Sequence, residues 1–497
     1  MTRVQFPPIA QALALYAAAF VVFTAIIFAT PAFLGTDDYY HARIAAEIIE
    51  QRRLAVDFHW LPLTILSPER FTDHHLLFHL YIAPFTVIGG IIGAKLATVS
   101  IAAGIVVAAW AFLRQNGVRF AAIWALGIFA LSTPFLVRML MIRTQGAALL
   151  LLLVGLIVLS SRRHWLLIPL TFAFTWLYDG FILMPVFTAL YIAATWIADR
   201  RFEPRPLFYS LIGVGLGLVI NPYFPQNIGF IWDHLVAKVD IENSVRLGNE
   251  WYPYETDTLL TNSLGALVAL GLGFLAPSFR EGKRDRVETL VLFVAFVTLF
   301  MLLRSRRFIE YFPPFALLFC ALAWGRGGID FGALLPRFMR WRPLIPVIGL
   351  LALLVLGAIT VRDARDDAGD SRSADYFAGA SAYLREYAPD GAMVFQTDWD
   401  DFTRLFYYNP ENVYLVGLDP TYLQLADPDL WDQWVEITRG EVENPSAVIR
   451  SVFGAEYVVS DSAHDDFEDQ AARDPFMEVV YEDRYNVVWH ILPDESR

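Results

Sequence analysis

Long apolar runs separated by short polar turns occupy most of the first 361 positions. They fall at 9–33, 96–113, 120–137, 146–160, 165–178, 181–198, 207–221, 258–276, 287–303, 308–325 and 343–361. About 20 apolar residues in a helix cross the ~30 Å hydrocarbon layer of a bilayer, so the pattern predicts about 11 spans. The first run is too long for a signal-peptide core and lacks a small-residue cleavage pattern, so it reads as a retained span. A weaker stretch, 74–92, opens on two histidines and carries Pro84 and Gly89-Gly90. It is expected to be a juxtamembrane or half-inserted helix.

Beyond position 361 the apolar runs shorten. Those at 393–396, 413–416, 457–460 and 485–489 are of strand type, and 374–387 and 428–438 have helical spacing. The segment 362–373, rich in Asp, Arg, Ser and Gly, reads as a linker. The expected fold is a polytopic α-helical membrane domain, 1–361, followed by a soluble α+β domain, 362–497. Neither part shows an internal repeat or a low-complexity tract.

Composition agrees with this division, and charge sharpens it. Hydrophobic residues make up 56% of the 497 and charged ones 18%, against about a quarter charged in a soluble globular chain. The formal net charge of −13 conceals a split. Residues 362–497 hold 10 basic and 30 acidic side chains, so the remainder is net positive. Nothing here suggests a nucleic-acid partner; the bilayer is the expected one. The single cysteine, Cys320, has no intrachain partner for a disulfide. Basic clusters at Arg114/Arg119, Arg162/Arg163, Arg200/Arg201/Arg205, Arg280/Lys283/Arg284/Arg286 and Arg337/Arg340/Arg342 are expected on the cytoplasmic side. The loops 35–75, 138–145, 178–180, 222–257 and 304–307 then face outward from a cell inner membrane, as does the acidic domain. Arg304, Arg306 and Arg307 break the charge rule on that side, and outer arginines at a membrane face call for anionic partners.

Those outer loops hold most of the reactive side chains. The first carries Asp37-Asp38-Tyr39-Tyr40-His41-Ala42-Arg43, and five of the nine histidines lie between 41 and 79. Adjacent carboxylates at a span end can hold a hard cation or take a proton. Asp38 equally suits the N-cap of the helix behind it, and the histidines are either metal ligands or hydrogen-bonding groups. The second loop offers Arg138 and Arg143 with no acid, and Asp179 is either a cap or a site residue. Gly248-Asn249-Glu250-Trp251-Tyr252-Pro253 places a carboxylate just before a span. Guanidinium groups in Arg304-Ser305-Arg306-Arg307 suit the oxygens of a lipid head group or a lipid-linked phosphate. His41, Arg43, His75, Tyr311 and Trp399 are further candidate substrate contacts. An enzyme drawing a lipid-phosphate donor from the membrane fits this plan. A transporter or flippase for an anionic or lipid-linked solute fits less well, because transport sites lie near mid-span.

These motifs resemble those of the GT-C class of membrane glycosyltransferases, in particular the catalytic subunit of oligosaccharyltransferase. Asp37-Asp38-Tyr39-Tyr40 resembles that family's acidic-aromatic motif after the first span, and Glu250 with Pro253 its outer-loop glutamate. Arg307-Phe308-Ile309-Glu310-Tyr311-Phe312-Pro313-Pro314 resembles its Arg-Phe-x-x-Tyr-x-x-Pro motif. Two family motifs are missing. Arg143-Thr144-Gln145-Gly146 stands where acidic metal ligands are expected, and Thr397-Asp398-Trp399-Asp400-Asp401-Phe402 is the nearest counterpart of a Trp-Trp-Asp-Tyr-Gly acceptor motif. The resemblance implies inverting transfer of a sugar or oligosaccharide from a polyprenyl-(di)phosphate donor to a glycan, lipid or protein acceptor. It implies Asp37, Asp38 and Glu250 as catalytic carboxylates. Asp37 and Glu250 would also be ligands of a divalent cation, Mg or Mn. Arg307, Arg306 and Arg143 would hold the donor phosphate. The missing acidic motif leaves two alternatives: a cation-free enzyme with Asp37 as base, or a non-catalytic relative. On any catalytic reading, Asp37, Glu250 and Arg307 should line one outward cavity.

Overall fold

The computed structural model describes residues 7–239, 248–276, 285–326 and 345–493. Arg280, Lys283 and Arg284, and the cluster Arg337/Arg340/Arg342, lie outside the described residues. Among the described residues, fourteen helices carry the first part: α1 (Pro8–Ile27), α2 (Asp37–Gln51), α3 (Leu76–Gln115), α4 (Ala121–Leu126), α5 (Thr133–Arg138), α6 (Thr144–Ser161), α7 (Leu167–Leu177), α8 (Leu183–Asp199), α9 (Arg205–Val219), α10 (Gln226–Val239), α11 (Thr256–Phe274), α12 (Arg286–Arg304), α13 (Phe312–Gly325) and α14 (Ile345–Gly369). Among the described residues seven helical segments are long and apolar enough to cross a membrane, and four shorter apolar helices accompany them. Each predicted run falls on one of these, and the chain is a multi-pass membrane protein. On α14, Ile348, Leu351, Leu354 and Val355 leave 55–60% of their surface uncovered by protein. A contiguous apolar face of this kind is the one a bilayer covers.

The structure redraws three boundaries. The stretches 74–92 and 96–113 form one 40-residue element, α3, broken at Gly90. Gly90 takes φ +53°, and a Cβ at Gly93 would stand 1.9 Å from the Phe85 carbonyl oxygen, so the break closes on itself only with glycine there. The run 120–137 is α4, a 3₁₀ turn and α5; Ser132 starts α5 by accepting from the Phe135 amide at 3.2 Å. The last span runs on through Gly369, so most of the expected linker is helix. Its Ala, Arg and Asp residues permit helix, and charge alone does not end one.

Helix α1 packs on α3, α3 on α6, α7 on α9, and α11 on α13. Lys95 of α3 is buried and donates to the carbonyls of Ile27 and Thr30 at 3.2 and 2.7 Å. The end of α1 is thereby fixed, and with it the start of the loop leading to Asp37.

The C-terminal part is α+β as expected. Its strands β1 (Met393–Gln396), β2 (Val413–Tyr414), β3 (Tyr457–Asp461), β4 (Met477–Glu482) and β5 (Asn486–Ile491) form one sheet in the order β2-β1-β3-β5-β4. β1 runs parallel to β2 and β3, and β5 antiparallel to β3 and β4. Strand β4 escapes the sequence pattern because it is a half-exposed edge with Glu478 and Glu482 on it. This domain sits directly on the first long loop. Trp60 donates to the Pro410 carbonyl at 2.6 Å, the Tyr414 amide to the Trp60 carbonyl at 2.8 Å, and the Ile65 amide to the Tyr422 carbonyl at 3.1 Å. Phe406 packs on Trp60 with ring centroids 4.6 Å apart, so loop and domain share a core.

An internal ion pair gives this domain a pH signature. Asp461 accepts from His464 Nδ1 at 2.7 Å and from the Tyr376 hydroxyl at 2.8 Å. Burial opposes its charge, but these donors bring its carboxyl from 3.8 down to about 2. Burial likewise disfavours charged His464, but Asp461 outweighs it and raises the imidazole above 6.5. The aspartate's contribution is present above pH 3.8 and is lost as pH falls toward 2. The histidine's contribution is present below pH 6.5 and is lost as pH rises through its raised folded value. His464→Ala should therefore cost stability, on the order of 1 kcal/mol, where Asp461 is ionised and His464 charged, and progressively less as pH rises through the histidine's raised folded value. Thermal melts of both proteins across that range check it.

Candidate active site

Five chain turns and one edge of the C-terminal domain enclose a cavity of about 670 Å³. Thr36 and Asp37 come from the start of α2, Arg143 from the residue before α6, and Tyr178 and Asp179 from the turn after α7. Glu250 comes from a 3₁₀ turn before α11, and Arg307 with Tyr311 from the turn between α12 and α13. Trp399 and Asp400 close it from the C-terminal domain. All five loops predicted to share a face do share it.

An ion network joins the three residues expected together. Arg143 places Nη2 3.0 Å from Asp37 Oδ2 and Nη1 3.0 Å from Glu250 Oε2. Arg307 donates to Glu250 Oε1 at 3.0 Å, and Arg138 to Glu250 Oε2 at 2.9 Å. Arg138 also donates to Glu310 Oε1 at 2.6 Å. Ser305 bonds the Glu250 carbonyl at 2.8 Å, and Trp251 lies under the Arg307 guanidinium at 4.8 Å. Burial alone would raise the Glu250 carboxyl. Arg307, Arg143 and Arg138 around it hold it well below the usual carboxylate range. Three guanidiniums face three carboxylates, so the network is close to neutral while its members are largely shielded from water.

This arrangement does not fit a divalent cation between Asp37 and Glu250. The Arg143 guanidinium already bridges them, and three arginines share the two oxygens of Glu250. A dication there would face like charge at contact distance.

The other expected residues divide. His41, His75, Tyr311 and Trp399 line the cavity. Asp38 does not. It is 1% exposed, and its Oδ2 accepts from the Gly35 amide at 3.1 Å, so it braces the loop before α2 from within. Burial pushes its carboxyl up to about 6 despite nearby Arg143. The N-cap of α2 is Thr36, not Asp38. Arg306 turns away and donates to the carbonyls of Tyr252 and Pro253 at 3.3 and 3.2 Å, pinning the loop that carries Glu250. Arg43 pairs with Glu47 and Glu50 on its own helix. Arg138 and Glu310 join the network, and Tyr178 and Asp400 line the cavity, although none of the four carried a predicted role. Two of the three arginines that break the charge rule thus have partners: Arg307 in Glu250 and Arg306 in backbone carbonyls.

Histidines form one wall. His79 Nδ1 lies 2.7 Å from Asp73 Oδ2, and His41 Nδ1 2.7 Å from His79 Nε2. Asp179 has His234 at 3.7 Å and His74 at 3.9 Å. Burial first, and neighbouring imidazoles next, hold His41 and His75 well below the usual histidine range.

No protein-family model matches the chain, and no curated protein sequence does. Solved structures match its fold. Oligosaccharyltransferase AglB from Archaeoglobus fulgidus, in complex with an inhibitory peptide and a dolichol-phosphate, has a TM-score of 0.61 at 13% identity, over 90% of this chain and 69% of that one. ArnT from Cupriavidus metallidurans bound to undecaprenyl phosphate has a TM-score of 0.57 at 16% identity, over 96% and 97%. The mycobacterial arabinofuranosyltransferase AftD has a TM-score of 0.56 at 13% identity, over 97% of this chain and 40% of that one. All three are GT-C glycosyltransferases, and this chain has their fold.

Proposed function

We propose that the protein is an inverting glycosyltransferase. Its donor is a sugar or oligosaccharide on a polyprenyl phosphate or diphosphate, and its acceptor arrives at the outer face. The observation that carries this reading is the convergence of Asp37, Glu250 and Arg307 on one cavity, tied together by Arg143. Two proteins of the same fold bind dolichol-phosphate and undecaprenyl phosphate, which supports a polyprenyl-linked donor.

The acceptor nucleophile enters beside Asp37 and attacks the anomeric carbon. Its bond to that carbon forms as the bond from carbon to phosphate oxygen breaks. Asp37 takes the proton, and the electron pair leaves with the phosphate. Arg307 and Arg143 meet the developing charge in a partly desolvated site, where a fixed guanidinium is worth far more than in water. Glu250 holds both arginines in position before the donor arrives. The arginines take the part of a divalent cation at this pair. The basic helix ends lie on the cytoplasmic side and the C-terminal domain on the extracytoplasmic side of the inner membrane. A transporter reading is disfavoured because the charge gathers at one end of the bundle.

The test uses purified protein in lipid nanodiscs with a panel of labelled polyprenyl-phosphate and -diphosphate sugars and a cell extract as the source of acceptor. Release of free polyprenyl (di)phosphate is expected from the wild type, and a loss of about 10²-fold or more in Arg307→Ala. Wild-type release by Arg307→Ala would overturn the assignment, as would no release from any donor.

A further inference from the structure

We propose that His41, His75 and His79 form a three-imidazole site for a zinc-class divalent cation. Asp73 supports it from the outer shell, and the remaining coordination position opens to the cavity. Each histidine offers a nitrogen within 4.8 Å of the other two. They come from two elements: His41 from the first turns of α2, and His75 with His79 from one face at the start of α3, four residues apart.

The hydrogen bonds define how these rings are poised. Asp73 Oδ2 accepts the Nδ1 proton of His79 at 2.7 Å, and Asp73 Oδ1 is fixed by the His75 amide at 2.9 Å. With its proton on Nδ1, His79 presents Nε2 as a lone pair toward the cluster. His41 reaches that lone pair at 2.7 Å. His75 Nδ1 is buried and has no hydrogen-bond partner among the described residues. A carboxylate that orients a ring nitrogen proton while the opposite nitrogen faces inward is the usual outer-shell arrangement of a metal-bound histidine.

The charge balance points the same way. Asp73 is 2% exposed, and its side-chain partners are the His79 ring and backbone N–H, with no arginine or lysine at ion-pair distance among the described residues. A buried carboxylate is costly without positive charge beside it. A dication held by the three rings would supply the missing charge. Imidazole nitrogens select zinc, cobalt or nickel over magnesium or calcium, which prefer oxygen. Metal–nitrogen bonds of about 2.0–2.1 Å require tetrahedral ligands roughly 3.3 Å apart. The His41–His79 pair must therefore open slightly from 2.7 Å as the cation replaces their hydrogen bond. His41 and His75 line the cavity, so an anionic oxygen of a cavity ligand can complete the shell.

This site is distinct from the Asp37/Glu250 pair and does not depend on the glycosyltransferase reading. The full-length protein in detergent, stripped of metal, is titrated with Co²⁺ and then with Zn²⁺ against a chromogenic chelator. About one equivalent of each is expected, with millimolar Mg²⁺ failing to compete. X-ray absorption of the zinc-loaded wild type should show imidazole scattering at about 2.0–2.1 Å. His79→Gln should weaken zinc binding about 10²-fold or more, and Asp73→Asn about 10–100-fold. Asp37→Asn should leave it unchanged. Absence of stoichiometric zinc binding by the wild type overturns the proposal. So does a zinc spectrum without imidazole, or an affinity that His79→Gln does not move. The wild-type spectrum decides the matter if the variants fail to fold.

Discussion

Asp37→Asn is expected to reduce sugar transfer by about 10²–10⁴-fold while leaving donor binding within a few-fold of wild type. That range is the usual contribution of a positioned general base. The split between the two readouts follows from position. Asp37 opens helix α2 and faces the cavity, whereas the groups assigned to the phosphate are Arg307 and Arg143 on other elements. Removing the carboxylate's charge leaves Arg143 its second partner, Glu250, at 3.0 Å, so the phosphate-binding arginine stays in place. Asp37 is also the least buried acid of the network, with 32% of its side chain exposed, so the folded state should change little. Single-turnover transfer and equilibrium binding of a labelled donor separate the two effects. A variant that keeps full transfer removes Asp37 from the chemistry. A variant that loses donor binding in proportion to rate makes it a binding residue instead.

The spans, the soluble domain and the three central residues were legible because each depends on local signals. An apolar run of membrane length needs no partner to be recognised, and Asp37, Glu250 and Arg307 each sit in a short motif at a helix end. What escaped is of two kinds. The first is direction. Asp37 and Asp38 are neighbours, but successive helical residues are turned by about 100°, so one faces the cavity and the other the protein interior. Arg306 and Arg307 part in the same way within a 3₁₀ turn. The second kind is pairing across the chain. Arg138 meets Glu310, 172 positions away, and Arg138 and Arg143 both meet Glu250, over 100 positions away. Nothing in the periodicity of either segment encodes such a contact. The arginines at odds with the expected charge bias were the sign in the sequence that acids stood opposite them.

The second large effect is expected at Glu250, and here stability and function should move together. Arg138, Arg143 and Arg307 have only 13–15% of their side chains exposed, and all three converge on this carboxylate. Glu250→Ala leaves three guanidiniums sharing Asp37 and Glu310, an excess of one positive charge in a poorly hydrated cluster. Breaking one member out of such a network costs roughly 3 kcal/mol, seen as a lower thermal midpoint in detergent. Glu250→Gln should be no milder, because its amide group presents N–H donors to arginines that are themselves donors only. The decisive readout is rescue. If the arginines form a phosphate site that Glu250 holds ready, polyprenyl phosphate should raise the midpoint of Glu250→Ala more than that of the wild type. The anion then replaces the missing charge in the variant and gains the full linkage stabilisation. Equal shifts in both proteins would mean that lipid phosphate does not enter this cluster. The double variant Glu250→Ala/Arg143→Ala should be more stable than Glu250→Ala alone, since it restores the balance of charge among neighbours whose effects do not add. The same restored balance should not recover transfer, because a guanidinium assigned to the leaving phosphate is then gone.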